Sequence, residues 1–111
     1  MKLIILDRDG VINQDRDDFV KSADEWIPIA GSMDAIAFLT EAGYTVAVAT
    51  NQSGIGRKYF TMQELTEMHN KMHRLAQQAG GVIDGIWFCP HTAADGCDCR
   101  KPLPGMVSDI L

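Results

Sequence analysis

No apolar run in this chain approaches the roughly 20 residues that span a bilayer. Nor does the chain open on a basic-then-apolar leader; Leu3 to Leu6 is too short for a secretory signal. From these two features the protein is expected in the cytoplasm, without a membrane partner. Cysteine is scarce: three residues, all between positions 89 and 99. In a reducing compartment, clustered thiols serve metal binding or chemistry more often than disulfides. Positive charge is short too, with 10 Lys and Arg against 15 Asp and Glu and a net charge of -5. A phosphate-backbone partner needs a basic footprint, so no nucleic acid is expected. A small phosphorylated substrate needs only a local positive pocket. There is no internal repeat, low-complexity segment or linker, and 111 residues leave room for one domain.

What is present has an ordinary globular balance, 46% apolar and 23% charged. Lys2-Leu3-Ile4-Ile5-Leu6 reads as a strand buried on both faces of a parallel sheet. It stops at Asp7-Arg8-Asp9-Gly10. Aspartates at i and i+2 project to one side of an extended chain, and Gly10 permits a sharp turn. Gln14 to Asp24, polar and charged, reads as a loop over the sheet edge. Ser32 is the expected N-cap of a helix that runs to Ala42 and stops at Gly43. Tyr44 to Ala49 reads as a second buried strand. It ends at Thr50-Asn51-Gln52-Ser53-Gly54, and Gly54 and Gly56 keep the following loop open. Thr61 and Glu64 form a capping box for a long helix with Leu65, Met68, Met72, Leu75 and Ala76 on one face. His69 and His73, four apart on that helix, lack metal-ligand partners at a suggestive spacing and read as surface or packing residues. A third strand spans Ile83 to Phe88, and Pro104 suits the first turn of a last helix. Strands alternating with helices imply right-handed crossovers and a parallel sheet, an α/β fold.

Three groups in this frame carry chemistry. Asp7 and Asp9 end the first strand, where open α/β sheets hold their ligands; taken alone they are equally readable as turn and cap residues. Cys89-x-His91-x5-Cys97-x-Cys99 is the strongest local signal, since three thiolates and an imidazole make a closed tetrahedral set for a structural zinc. The alternative is a disulfide from Cys89 to either other cysteine, which leaves an odd thiol. Arg100-Lys101-Pro102 follows directly. It is either a solvated basic pair or a guanidinium fork and a point charge for phosphate.

Together, Asp7-Arg8-Asp9-Gly10-Val11-Ile12-Asn13, Thr50-Asn51-Gln52-Ser53-Gly54 and Cys89-Pro90-His91…Cys97-Asp98-Cys99-Arg100-Lys101-Pro102 resemble the haloacid dehalogenase superfamily of phosphohydrolases. Within it they are similar to the zinc-containing branch that acts on heptose bisphosphate or histidinol phosphate. The resemblance spans Asp7 to Pro102. It implies a Rossmann-like three-layer sandwich and a Mg2+-dependent phosphatase acting on a small phosphorylated sugar, on the route to lipopolysaccharide heptose, or on histidinol phosphate. It implies further that Asp7 is the nucleophile and Asp9 the general acid and base, with Mg2+ held by the Asp7 carboxylate and the Asp9 backbone. Thr50 and Lys101 then hold and stabilise the transferring phosphoryl group. Asn51, Gln52, Ser53 and Arg100 contact the substrate, as do Asp15, Arg16, Asp17 and Asp18 in the loop facing the sugar. Cys89, His91, Cys97 and Cys99 bind Zn2+.

The family pattern includes a fourth motif, an aspartate on a further strand that completes the Mg2+ site. These 111 residues contain none, and Asp109 is a poor substitute. The expectation is a phosphatase domain shortened at its C-terminal side, binding Mg2+ weakly and turning over poorly on its own, and monomeric at full length. The competing expectation, from another class, is a small zinc-stapled interaction module without catalysis.

Overall fold

The structure is a computed structural model that describes residues 2–92, 96, 97, 99, 101 and 105–110. Strand β1 (Lys2–Leu6) runs parallel to β2 (Tyr44–Asn51), which runs parallel to β3 (Gly85–Cys89), in the order β1-β2-β3. Leu6 pairs with Val48 and Cys89 with Asn51, so the chain leaves all three strands at one edge. Helices α1 (Ser32–Glu41) and α3 (Met62–Gln78) cover one face of the sheet, and α4 (Gly105–Ile110) covers the other. A single turn, α2 (Ser53–Gly56), follows β2.

Strand alternation decides which residue goes where. Val46, Ala47, Val48 and Ala49 are each no more than 2% exposed, so β2 is buried on both faces. Val48 joins Ile36, Leu65, Met68, Met72 and Ala76 on the α1 and α3 side; Ala49 meets Met106 of α4 on the other. Leu65, Met68, Met72 and Ala76 recur with helical spacing, which is why α3 docks on this stripe. Leu65, Met68 and Met72 each contribute about 1.5–3 kcal/mol by burial. The long connection after β1 also enters this core. Gln14 N–H donates to Ile27 O at 2.7 Å and Ile29 N–H to Ile12 O at 2.9 Å, and the loop so closed buries Ile12, Val20 and Trp26. The Lys71 ammonium on α3 fastens it by donating to the carbonyls of Ala23 and Trp26, each at 2.7 Å.

The capping box of α3 forms as expected: Glu64 N–H donates to Thr61 Oγ1 at 3.1 Å, and Thr61 N–H to Glu64 Oε1 at 2.9 Å. Four boundaries differ from expectation. Ser32 does not cap α1 but begins it; Gly31, at φ 85°, occupies the cap and the Ser32 hydroxyl is buried without a partner. A left-handed Gly31 has already turned the chain into the helix, so no side-chain cap is placed. The second strand runs on to Asn51 rather than stopping at Ala49. The third begins at Gly85, not Ile83, because Asp84 pairs with β2 through its side chain. Val46 N–H donates to Asp84 Oδ2 at 2.7 Å, and Asp84 N–H to Val46 O at 2.8 Å. Finally, Gly54 to Gly56 form α2 rather than an open loop. Gly56 N–H donates to Pro90 O at 2.9 Å, and a Cβ there would stand 2.6 Å from that oxygen. Gly56→Ala is therefore expected to destabilise the fold by about 1–3 kcal/mol, read as a lower urea midpoint. An unchanged midpoint would contradict this contact. Pro104 lies outside the described residues. No described helix is long and apolar enough to cross a membrane.

Candidate active site

Asp7 and Asp9 leave β1 on the same side and line one cavity of about 320 Å³ with Asp15, Arg16, Asp17, Phe19, Thr50, Asn51, Ser53 and Lys101. Gly10, at φ 82°, turns the chain away directly afterwards. Asp7 is 46% exposed. Its Oδ1 accepts Arg8 N–H at 2.8 Å and pairs with Lys101 Nζ at 2.9 Å. Asp9 is the more constrained carboxylate, taking hydrogen bonds from Arg8, Asn13 and Gln52.

The end of β2 builds the opposite wall. Lys101 is tied to it three times: its N–H donates to Asn51 Oδ1 at 2.8 Å, its carbonyl accepts from Asn51 Nδ2 at 3.3 Å, and its ammonium donates to Ala49 O at 2.9 Å. The cation is thus fixed beside Asp7 instead of wandering in solvent. Thr50 and Ser53 line the cavity, and the buried Thr50 hydroxyl accepts from Gln52 Nε2 at 2.9 Å. Gln52, expected against the substrate, is buried and absent from the cavity wall. Its side-chain amide spans Thr50 Oγ1 and Asp9 Oδ2, and its N–H donates to Cys89 O at 2.7 Å. The backbone bond to the end of β3 turns the side chain inward.

The loop 15–18 divides. Asp15, Arg16 and Asp17 reach the carboxylate cavity, whereas Asp18 lines a neighbouring one with Asp17, Phe19, Lys21 and Tyr59. Asp18 is drawn there by its cations: Arg16 Nε donates to Oδ1 at 3.0 Å and Lys21 Nζ to Oδ2 at 3.1 Å. Arg16, then Lys21, hold its carboxyl well below the usual carboxylate range. Arg100 lies outside the described residues.

The donor atoms of Cys89, His91, Cys97 and Cys99 all lie within 4.8 Å of one another, beside α4. The Sγ atoms of Cys89 and Cys99 are joined as a disulfide, and Cys97 is a free thiol. That pairing uses two of the four residues. The other separations are Cys89–Cys97 3.5 Å, Cys97–Cys99 3.6 Å, His91 Nδ1–Cys99 3.4 Å and His91 Nδ1–Cys89 3.7 Å. A tetrahedral zinc with bonds of about 2.0–2.3 Å spaces its donors by about 3.5–3.8 Å. A disulfide alone gives His91 and Cys97 no reason to converge. The four residues therefore fit a metal ion when the thiols are reduced. The carboxylate oxygens that Asp7 and Asp9 offer are ligands suited to a hard divalent cation such as Mg2+.

Sequence reasoning passed over Arg8, whose side chain is wholly buried, and Asn13. The clue was available for Arg8: between two aspartates that face the cavity, alternation aims it into the core. His69 proves to be a packing residue, 9% exposed against Arg8 and Phe88. Burial first, then the Arg8 cation, push its pKa down from 6.5 to about 3. Unfolded, it takes a proton below pH 6.5; folded, it resists to about pH 3. Its contribution to stability is thus complete above pH 6.5 and is lost as pH falls towards 3. Between pH 7 and 5 the loss is about 2 kcal/mol. Acid titration of the urea midpoint should show this slope in the parent and a shallower one in His69→Gln; equal slopes would contradict it.

A three-stranded parallel α/β sheet with an acid pair, a hydroxyl and a lysine at one edge defines a haloacid dehalogenase-like fold, and solved structures of that class superpose on it. The chain belongs to the polynucleotide kinase 3 phosphatase family, whose model matches residues 2–111. A curated relative from Neisseria meningitidis, named D-glycero-beta-D-manno-heptose-1,7-bisphosphate 7-phosphatase, is 83% identical over 111 residues, covering 100% of this chain and 59% of its own length. The crystal structure of D,D-heptose 1,7-bisphosphate phosphatase from Bordetella bronchiseptica, complexed with magnesium and phosphate, matches at TM-score 0.97 and 63% identity, over 99% of this chain and 62% of that one. A HAD-like protein from Mesorhizobium loti matches at TM-score 0.83 and 32% identity, over 98% of this chain and 55% of that one. This chain thus spans about three-fifths of the length of such curated relatives.

Proposed function

We propose that this chain carries the reaction centre of a sugar-phosphate phosphatase that removes the 7-phosphate of D-glycero-β-D-manno-heptose 1,7-bisphosphate in the cytoplasm. One observation carries the reading: Asp7 and Asp9 after β1, Thr50 in β2 and Lys101, which is bonded to β2, surround one cavity. The names of relatives as similar as 83% identical support the heptose substrate over histidinol phosphate.

Asp7 attacks phosphorus through Oδ2, the oxygen that does not accept the Arg8 N–H, as the bond to the sugar oxygen breaks, and Asp9 gives that oxygen its proton. Water then attacks the aspartyl-phosphate, Asp9 recovers a proton from it, phosphate leaves and Asp7 is again a carboxylate. Lys101 Nζ balances the charge spread over the phosphoryl oxygens, with Thr50 and Ser53 beside it. A Mg2+ ion held by Asp7 and Asp9 would neutralise charge between carboxylate and phosphate. The reduced Cys89, His91, Cys97 and Cys99 would hold Zn2+, and with four protein ligands it would be structural. It would anchor the segment that delivers Lys101.

The test is phosphate release with Mg2+, comparing heptose 1,7-bisphosphate with histidinol phosphate at equal concentration. Preference for the heptose by tenfold or more is expected. Equal or reversed preference would overturn the substrate assignment.

A further inference from the structure

Asp9 is gripped from inside the core. The Arg8 guanidinium, 0% exposed, places Nε at 2.9 Å and Nη2 at 2.7 Å from Asp9 Oδ1. Asn13 Nδ2 adds a third donor to the same oxygen at 3.0 Å. Oδ1 has no acceptor capacity left, whereas Oδ2 takes one bond, from Gln52 Nε2 at 3.0 Å, and keeps room for another partner. The last guanidinium nitrogen, Nη1, points away from the cavity to α3, 3.3 Å from His69 Nε2 and 3.9 Å from Met68 Sδ. A guanidinium only donates, so His69 accepts through Nε2 and carries its proton on Nδ1.

We propose that Arg8, braced by His69, is the positioning residue that orients Asp9 for proton transfer, saturating Oδ1 so that Oδ2 alone meets the leaving oxygen. This rests on the reading of Asp9 as the acid given above. In the step concerned, the proton moves from Asp9 Oδ2 to the ester oxygen as the bond from phosphorus to that oxygen breaks. Packing alone does not explain the arrangement. A buried guanidinium is costly unless its donors are used, and an aliphatic residue would fill the same space more cheaply. Here the fork is spent on a cavity-lining carboxylate, and its back is met by an acceptor from a different element. A lysine would keep the charge but cannot fork onto Oδ1 and reach His69 together.

The test compares substrates that differ only in their need for a proton, in the protein at its natural length. A sugar phosphate leaves as an alkoxide and needs the acid, whereas p-nitrophenyl phosphate does not; the step compared is the first phosphoryl transfer, read as single-turnover release of the leaving group, because the later hydrolysis that uses Asp9 as base is common to both. Arg8→Lys should lower the single-turnover rate of leaving-group release from heptose 1,7-bisphosphate about 100-fold, with substrate affinity changed by less than about threefold, and lower that from p-nitrophenyl phosphate by less than about fivefold. Asp9→Asn is the reference and should show the same selective loss. His69→Leu should move the ratio of the two activities in the same direction, and His69→Gln, which keeps an acceptor, should restore it. That pair decides the matter should Arg8→Lys not fold. If Asp9→Asn is selective while Arg8→Lys, or the His69 pair, is not, the positioning role is wrong and the acid reading stands. If Asp9→Asn shows no selectivity, the acid reading fails and takes this inference with it.

Discussion

Asp7→Asn is expected to lower phosphate release by roughly four orders of magnitude or more, in kcat rather than KM, because it removes the group proposed to attack phosphorus. The substitution is close to isosteric. Its amide oxygen can still accept the Arg8 N–H that Asp7 Oδ1 accepts now, so the turn after β1 should survive. What disappears is the carboxylate proposed to attack phosphorus, which is also the negative partner of Lys101 Nζ at 2.9 Å. Substrate binding should persist or tighten, since a phosphate dianion no longer meets a like charge at Asp7. A variant retaining more than about a tenth of parent activity would mean that another group attacks phosphorus.

The second large effect concerns Cys97. If the cluster works as a disulfide from Cys89 to Cys99, Cys97 is a spectator and Cys97→Ser should be silent. If it works as a metal site, Cys97 is one ligand of four. Structural zinc contributes on the order of 10 kcal/mol or more of apparent binding energy to small domains. Loss of a thiolate should then release the metal and destabilise the fold by roughly 3 kcal/mol or more, or about 10–20 °C in Tm for a domain of this size. Under reducing conditions the metal reading expects one zinc per chain in the parent, none in Cys97→Ser and a lowered Tm. An unchanged Tm and no metal in either protein would leave the disulfide as the working state. Lys101 should respond as well, because it follows Cys99 by two residues and its grip on Asn51 depends on where that segment is held.

The parts of this site that were legible in the sequence share one property: their geometry is local. Asp7 and Asp9 face one cavity because strand alternation makes residues two apart do so. The capping box of α3 needs only Thr61 and Glu64, three apart. The four side chains that could hold a metal lie close in sequence, so their convergence could be expected, but the same sulfurs serve a disulfide or a metal and spacing does not choose. The illegible parts depend on contacts across the chain. Gln52 looked like a cavity residue because its neighbours are, yet it turns inward to Asp9, 43 positions away. Asn51 is at once a cavity residue and the clamp on Lys101, 50 positions away. Asp18 belongs to the same acidic run as Asp15 and Asp17, but Arg16 and Lys21 pull it to a neighbouring cavity. Arg8 was hidden by its type. A charged residue flanked by aspartates reads as solvated even where alternation turns it inward, and Met68 and His69 on α3, some 60 positions on, show the guanidinium enclosed.

The most direct single measurement is the covalent state of Asp7 during turnover. The protein, mixed with heptose 1,7-bisphosphate and Mg2+, is quenched in acid within milliseconds, digested and weighed by mass spectrometry. The expected result is a phosphoryl group on the peptide containing Asp7, labile to hydroxylamine as an acyl phosphate is, and absent from Asp7→Asn. Phosphate release with no such adduct on Asp7 at any quench time, or an adduct that persists in Asp7→Asn, would contradict the assignment of Asp7 as the nucleophile and, with it, the chemistry assigned to this cavity.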